Sequence, residues 1–580
     1  MIKKISQIKN YPYLILFFLL LFHGIYNYIW LSQNQAPPFW EESKYLLMGL
    51  KYKDLFSQIS LFNLKSFAQI GGYYPPLLPI SSLILIGNSI RTMAMANIIY
   101  MAIMLFSIFK IGEIIFDRKT GLWAAFILSM FPIVFGTSRM FMLDYALTAM
   151  VTLSIYLLLL TDYFKSTKYS ILYGLSLGLG MLIKNTFGAF IIGPLIYIFY
   201  KAIFGNSKEE KKKQIANLFY SLSLGSILSI PWYVLSFPFA GWKYFILGKV
   251  FLGSCRSFYY LLYIIILLLF LFIIGKVYKF NPFSKKYLKW WLLVLCFLVV
   301  LTCLINRWMV LNSLWYSIAL KDQIGLFFFL ILIFIIPKFL QQRAEYKYIL
   351  ILWIVIPYCL LNLFVKMYCR YTMPYLPAIA IILALGILEM KKTLPQGLLF
   401  SLILIFCFIQ FFILSFILSY DPSNRYFKNR FMRYIISPDP SNYWMIHSPI
   451  KGNWRIDAIL RWIRDDIKKD KATVGLLVDA ASINYETLNY YIYLKKLPLK
   501  IESYIYKNID DPNNFSSDYL ITLENLKLEQ WPWVKNQIYK LNEQLKRNSD
   551  KYIKVKEFQL PYYWDIGSDN KVHIYTKKKD

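Results

Sequence analysis

The sequence predicts a polytopic α-helical membrane protein with a small α/β domain at its C-terminus. Of the 580 residues, 58% are hydrophobic. Apolar runs of about 20 residues, the length that a spanning helix needs, recur through the first ~420 positions. After Leu418 the composition turns polar, and Pro, Asn and Ser mark the junction. We therefore expect a membrane part over residues 1–420 and a separate α/β domain over residues 421–580.

About thirteen membrane spans account for the apolar runs of the first part. The first span follows a basic start, Met1-Ile2-Lys3-Lys4, and no small-residue cleavage site comes after it. It is expected to be an uncleaved anchor with its N-terminus in the cytoplasm, and an odd number of spans then leaves the C-terminal domain outside the cytoplasm. The spans are placed near 11–31, 91–116, 121–137, 142–161, 169–184, 187–204, 215–235, 258–277, 288–304, 322–340, 347–365, 373–389 and 395–418.

The distribution of charge agrees with this topology. The net charge is +32, and every loop assigned to the cytoplasm is basic, as the positive-inside rule requires. Those loops are 117–119, 208–213, 276–289, 337–347 and 391–392. No basic segment has the pattern of a nucleic-acid-binding module, so nucleic acid is not expected as a partner.

One apolar segment, Pro75 to Gly87, is too short to span a bilayer. A span here would reverse the topology and place the basic loop 117–119 outside. We therefore expect an outer helix that lies at the interface or is partly inserted. The first outer loop then runs from about residue 32 to residue 90.

The polar C-terminal part alternates between helix-like and strand-like segments. Helix-like Trp454–Lys468 precedes the strand-like run Ala472–Val478, and helix-like Ile483–Lys495 precedes a short strand, Tyr519–Thr522. The remainder has a helix pattern and then a strand pattern. Such alternation is typical of an α/β domain, and the segment contains no phosphate loop or dinucleotide-binding fingerprint.

A carboxylate pair, Glu41 and Glu42, lies just beyond the first span. Proline is tolerated near a helix start, so a helix is expected to begin near Pro38, with both acids in its first turn. Neighbouring residues on a helix diverge by about 100°. Only one acid can therefore face a given site, and Tyr45 shares the face of Glu41. The pair either supplies a general base for an acceptor hydroxyl or complements the dipole of an interfacial helix.

Asp144 is placed on the same side of the membrane, at the outer end of an apolar helix and shortly after Arg139. It either forms an interfacial ion pair with Arg139 or acts as a second acid that orients an acceptor or a metal ion. The three histidines are scattered, and no His/Cys cluster has the spacing of a metal site.

Several cations fall on the outer side, against the positive-inside bias, among them Arg139, Lys184, Lys243, Lys249, Arg256 and Arg370. Phosphate binding explains cations in such places, because Arg and Lys are the usual partners of phosphate. Snorkelling toward anionic lipid is the alternative explanation.

The order of the motifs resembles glycosyltransferase family 39, a family of GT-C membrane glycosyltransferases that includes the protein O-mannosyltransferases and the lipid A aminoarabinose transferase. The resemblance covers about residues 1–420, and the number of spans agrees with the aminoarabinose-transferase branch. The motifs are the acid pair with a following Tyr, Tyr-Pro-Pro-Leu (74–77), Leu-Asp-Tyr (143–145), a Gly-rich helix ending in Leu-Ile-Lys (174–184), Pro-Trp-Tyr (231–233) and Arg-Tyr followed by Leu-Pro (370–377).

This resemblance implies roles for individual residues. An Asp-Glu pair carries the family's catalytic carboxylate, and Glu41 stands in the Asp position, with Glu42 beside it. Asp144 is similar to the second outer-loop acid of the family. Where relatives often carry a Lys that helps to hold the donor phosphate, this chain has Tyr74. Donor phosphate and lipid are then expected at the following residues: Tyr45, Tyr74, Arg139, Lys184, Arg256, Arg370 and Tyr371.

The implied reaction moves a sugar, with inversion, from a polyprenyl phosphate to an acceptor hydroxyl on the outer (periplasmic) face. Glu41 takes the acceptor's proton, and polyprenyl phosphate leaves. The acceptor is a lipid, a glycan or a protein. Some relatives bind a divalent metal ion, so a metal cofactor is left open, and no other cofactor is implied. The abundance of Lys, Ile, Asn, Tyr and Phe suggests an AT-rich coding sequence. Together with the resemblance to bacterial relatives, this favours a bacterial inner membrane.

Three other functions agree less well with the sequence. A lipid-linked sugar flippase or other transporter tends to have broken helices at mid-membrane and internal repeats, whereas here the charges lie at the outer ends of spans. A non-catalytic scaffold needs no carboxylates gathered on one side of the membrane. An oligosaccharide transferase with a pyrophosphate donor is disfavoured, because its tryptophan–aspartate-rich tail motif is absent.

Overall fold

The protein is described here by a computed structural model. It describes residues 11–57, 63–85, 87, 89–204, 208–239, 307–342, 344–362, 368–390, 396–417, 445–452, 454–467, 469–481, 483–505, 515–524, 532–548, 551–561 and 570–578. The predicted spans near 258–277 and 288–304 and the predicted domain boundary at 420/421 lie outside these residues, as does Arg256.

Each predicted span that falls within the described residues contains one or more helices. In chain order they are α1 (Tyr11–Gln33), α2 (Trp40–Ser57), α3 (Leu64–Gly71), α4 (Leu77–Ser81), α5 (Ile90–Ala94), α6 (Asn97–Ile115), α7 (Arg118–Ser129), α8 (Pro132–Thr137), α9 (Leu143–Leu160), α10 (Thr167–Met181), α11 (Phe187–Phe204), α12 (Lys208–Ser236), α13 (Arg307–Ile324), α14 (Leu326–Gln341), α15 (Lys347–Leu361), α16 (Leu376–Glu389) and α17 (Gln396–Phe412).

By length and composition, six helices of the described chain can cross a membrane, or seven if the bent pair α13–α14 forms one span. The multi-pass fold class is therefore confirmed. The predicted span 121–137 is divided into α7 and α8 before Pro132, which lacks the N–H group that would continue a helix.

The segment 322–340 is also interrupted. A bend of 115° separates α13 from α14 at Gly325, whose φ of 85° suits glycine better than any residue with a Cβ atom. Short helices α4 and Ser82–Ile84 form in the segment that was predicted to be an outer interfacial helix.

The centre of the helical part is α16, which is apolar on all sides and almost completely buried, as expected for a helix surrounded by others. Close helix packing elsewhere depends on small residues. A Cβ atom on Gly121 of α7 would lie only 2.2 Å from the backbone oxygen of Phe109 on α6.

The described residues of the C-terminal part form a five-stranded sheet with three helices. Its elements are α18 (Ile456–Asp466), β1 (Ala472–Leu476), α19 (Tyr485–Leu494), β2 (Leu499–Ser503), β3 (Tyr519–Leu523), α20 (Pro532–Arg547), β4 (Tyr552–Gln559) and β5 (Lys571–Lys577). The strand order is β2-β1-β3-β5-β4. The first three strands run parallel, and β5 and β4 pair antiparallel. The predicted α/β class is confirmed, although β2 was not predicted and one strand was expected where β4 and β5 both form.

Candidate active site

The helix α2 presents its two acids in different directions. It begins at Trp40, two residues after the predicted position, and both glutamates lie in its first turn. The side chain of Glu41 is 37% exposed, whereas Glu42 is only 6% exposed. Neighbouring side chains on a helix point in directions about 100° apart, so the carboxylate of Glu41 is accessible while that of Glu42 is buried.

Glu41 pairs with an arginine that is distant in the sequence. Arg370 Nη2 lies 2.5 Å from Glu41 Oε2, and the arginine belongs to a buried 3₁₀ turn, Cys369–Tyr375, that leads into α16. A guanidinium beside a carboxylate forms a strong charge-assisted contact. The ion pair connects the segment that follows α1 to the central helix α16.

Asp144 joins the same cluster from the first turn of α9. Lys184 Nζ donates to Asp144 Oδ1 at 2.7 Å, and Arg370 Nε lies 3.5 Å from Asp144 Oδ2. Asp144 is buried, so these cations offset the cost of its charge. Glu41, Arg370, Asp144 and Lys184 thus form one chain of alternating charge, which we call the charge cluster.

Aromatic rings surround the charge cluster. Lys184 Nζ lies 4.9 Å from the ring centroid of Tyr371, and the Arg370 guanidinium lies 5.6 Å from the same ring. On the other side, the rings of Tyr45 and Tyr74 meet edge to face at 5.2 Å. Three tyrosines predicted from the sequence, Tyr45, Tyr74 and Tyr371, are therefore at the site.

The motif segments meet around the cluster although they are far apart in the chain. Asn185 Nδ2, next to Lys184, donates to the Tyr73 hydroxyl at 2.7 Å. The Leu77 amide donates to the Leu182 carbonyl at 3.0 Å, and the Tyr233 hydroxyl donates to the Met181 carbonyl at 2.7 Å. These bonds fix the loop that carries Lys184 against the Tyr-Pro-Pro-Leu segment.

Glu42 has a different environment. Its Oε1 accepts a hydrogen bond from the backbone N–H of Phe141 at 2.8 Å. Burial raises the pKa of the Glu42 carboxyl to about 7, although the amides of Phe141 and Phe39 oppose that rise. A cavity of about 30 Å³ beside it is lined by Arg139 and His447. Glu42 therefore ties α2 to the loop before α9.

Arg139 is not part of the charge cluster. It is buried, with Nε donating to Asn27 Oδ1 at 3.1 Å and Nη2 donating to Ser415 Oγ at 2.6 Å. The rings of Trp30, Phe135, Phe411 and Phe416 surround its guanidinium. The structure pairs Asp144 with Lys184 and Arg370, so the sequence alternative of an Arg139–Asp144 ion pair is not formed.

The C-terminal domain holds the helix that carries Glu41. Trp40 Nε1 donates to Asp479 Oδ1 at 2.6 Å. The Thr487 hydroxyl donates to the Pro38 carbonyl at 3.0 Å and lies 3.1 Å from the Ser43 hydroxyl. Sequence analysis did not identify these contacts, because the participating residues are more than 400 positions apart and form no local pattern.

A metal site is not evident in the described ranges, where no group of three or more His, Cys, Asp or Glu side chains gathers. Glu41 and Asp144 instead face cations. The arrangement can accept a proton at the accessible Glu41 and can bind an anion at cationic side chains, which is the chemistry needed for a displacement with an anionic leaving group.

Comparisons with known proteins agree with this architecture. Residues 76–232 match the family model of dolichyl-phosphate-mannose-protein mannosyltransferase. The fold is similar to that of apo ArnT from Cupriavidus metallidurans, with a TM-score of 0.55 and 10% identity over 96% of this chain and 97% of that one. The apo oligosaccharyltransferase of Archaeoglobus fulgidus aligns with a TM-score of 0.48 and 13% identity over 89% and 70% of the two chains.

No curated protein matches the sequence. The matched segment 76–232 begins at Pro76, after Tyr74 and Pro75, and contains Asp144, Lys184 and Trp232. The resemblance inferred from the order of the motifs is confirmed: this multi-pass membrane protein has the fold of the GT-C glycosyltransferases.

Proposed function

We propose that this protein transfers a sugar from a polyprenyl-phosphate donor to an acceptor hydroxyl, with inversion at the anomeric carbon. The observation that carries the proposal is the charge cluster, in which the accessible Glu41 stands 2.5 Å from Arg370. A base and an anion-binding group are thus next to each other, where an acceptor and a phosphate can meet. The match to a family that uses dolichyl-phosphate-mannose supports this class of donor.

In the proposed reaction, the acceptor oxygen attacks the anomeric carbon as Glu41 takes its proton. The bond between that carbon and the phosphate oxygen breaks, and its electron pair leaves with the polyprenyl phosphate. Arg370 has five N–H groups, so it can contact a carboxylate and a phosphate oxygen together. Its attraction to the growing phosphate charge lowers the barrier and also weakens its hold on Glu41.

Asp144 and Lys184 support this arrangement. Asp144 contacts both cations of the cluster and so orients Arg370 toward Glu41. Lys184, paired at 2.7 Å, adds positive charge beside the ring of Tyr371. Glu42, which is buried and tied to the Phe141 amide, is assigned to positioning α2 rather than to proton transfer.

We place the reaction on the outer face of the membrane. The basic segment 117–119 follows α6 at the end opposite the charge cluster, where Arg118 lies over the ring of Tyr11 at the start of α1. The positive-inside rule assigns such segments to the cytoplasm. The C-terminal domain, which contacts α2, then also lies outside, where it can help to place the acceptor.

The test is release of free polyprenyl phosphate by the purified protein in lipid, with a panel of undecaprenyl-phosphate sugars as donors. We expect release from at least one donor by the wild type and a large loss in Asp144→Asn. The mock-purified membrane fraction is the control. Intact donor that appears in the opposite leaflet without release would instead establish a flippase and overturn the proposal.

A further inference from the structure

Lys44 is a cation at the site that forms no ion pair with any carboxylate of the described residues. It follows Glu41 by three residues and precedes Tyr45, so the three side chains share one region of α2. Its ammonium lies 4.7 Å from the ring centroid of Tyr74. Across the described part of the chain, no Asp or Glu oxygen comes within 4.0 Å of Lys44 Nζ, because Glu41 pairs with Arg370 instead.

The other cations of the site are already paired. Lys184 contacts Asp144 at 2.7 Å, and Arg370 contacts both Glu41 and Asp144. The charge cluster is therefore balanced before any substrate arrives. Glu486 of α19 acts on Lys44 electrostatically, but it is shared with Lys51. Among these cations, Lys44 is therefore the one at which an incoming anion competes least with a protein carboxylate.

We propose that the Lys44 ammonium, standing on the ring of Tyr74, binds the phosphate of the lipid-linked donor. The inference rests on the proposed sugar transfer. In the donor, the phosphate is a diester with one negative charge. When the bond to the anomeric carbon breaks, the phosphate keeps the electron pair and gains a second charge, while the acceptor proton goes to Glu41. The Lys44 ammonium stabilises the charge that develops on the leaving group.

The position of Lys44 suits this role. A cation on an aromatic face is held without being neutralised, so it keeps its charge for a ligand. The ring of Tyr74 also contacts Tyr45, which places the ammonium on the same side of α2 as Glu41. Arg370 and Lys44 can thus contact the phosphate from two sides of the carboxylate that accepts the proton.

The experiment compares Lys44→Gln, Lys44→Arg and the control Lys53→Gln, a change at an exposed lysine on the same helix. Initial rates are measured against donor concentration for the sugar that the wild type uses. We expect Lys44→Gln to raise the donor KM and to lower kcat/KM by about 10- to 100-fold, as for the loss of one charged contact. Lys44→Arg should keep most of the activity because the charge remains, and Lys53→Gln should match the wild type.

Binding provides a readout that does not depend on turnover. Undecaprenyl phosphate and neutral undecaprenol are titrated into phosphatidylcholine nanodiscs that contain each variant. Lys44→Gln should weaken binding of the phosphate but not of the alcohol. Wild-type KM and wild-type phosphate binding in Lys44→Gln would overturn this site. A wild type that turns over no donor, with phosphate binding that still depends on Lys44, would overturn the proposed transfer and leave the phosphate site standing.

Discussion

The environment of Glu42 makes a quantitative prediction about stability. Burial raises the pKa of its carboxyl from an ordinary value of 4.5 to about 7. Between these two pH values, the carboxyl is ionised in the unfolded chain but keeps its proton in the folded protein. The folded state then binds more protons, so stability falls as pH rises through this window and levels off above pH 7.

The size of the effect follows from the displacement of the pKa. One pKa unit corresponds to about 1.4 kcal/mol, so wild-type protein should lose about 3 kcal/mol of stability between pH 4 and pH 8 from this group alone. In Glu42→Gln, the amide has the shape of the protonated acid, and its oxygen can still accept the Phe141 N–H. The variant should not lose that stability.

The assay is thermal unfolding of both proteins in the same lipid nanodiscs, at one scan rate, from pH 4 to pH 8. The variant minus wild-type difference removes the contribution of every other titrating group. We expect the stability of Glu42→Gln relative to the wild type to increase as pH rises, with the steepest change between pH 4.5 and pH 7. A difference that does not change with pH, or one that favours the wild type at pH 8, would refute the assigned environment.

Three further changes probe the cluster, the domain contact and the helix packing. Asp144→Asn removes the partner of Lys184 and should lower kcat/KM for transfer by about tenfold or more; an unchanged value would contradict its role. Thr487→Val removes the hydrogen bond to Pro38 and should lower kcat with little change in donor KM, so a wild-type kcat would argue against a positioning role for the domain. Gly121→Ala forces a Cβ atom to within 2.2 Å of a backbone oxygen on α6 and should lower the Tm by several degrees. Gly188→Ala, which meets nothing within 4 Å, is the matched control and should not.

The helices and most of the sheet domain were predictable because their signals are local. Apolar runs produce spanning helices in any tertiary context. The breaks at Pro132 and Gly325 depend on single residues inside such runs and were not predicted. Strand β2, Leu499–Ser503, was missed because its alternating polar residues suit a half-exposed edge strand, and a run of five residues is a weak pattern.

The site was predictable in its members but not in its pairings. Topology placed Glu41, Asp144, Lys184 and Arg370 on one side of the membrane, and the structure brings these four together. The predicted topology placed Arg139 on that side as well, but in the structure its guanidinium lies among aromatic rings and outside the charge cluster. Which cation meets which acid depends on how helices pack, and a single sequence carries no record of contacts between distant segments.

The central claim is that Glu41, rather than its neighbour, accepts the proton of the acceptor. The most direct test is single-turnover transfer with saturating donor, compared between Glu41→Gln and Glu42→Gln at one pH. We expect Glu41→Gln to lower the rate by about 10²- to 10⁴-fold, the usual contribution of a general base, and Glu42→Gln to retain most of it. Rapid transfer by Glu41→Gln, or loss of transfer confined to Glu42→Gln, would contradict the account.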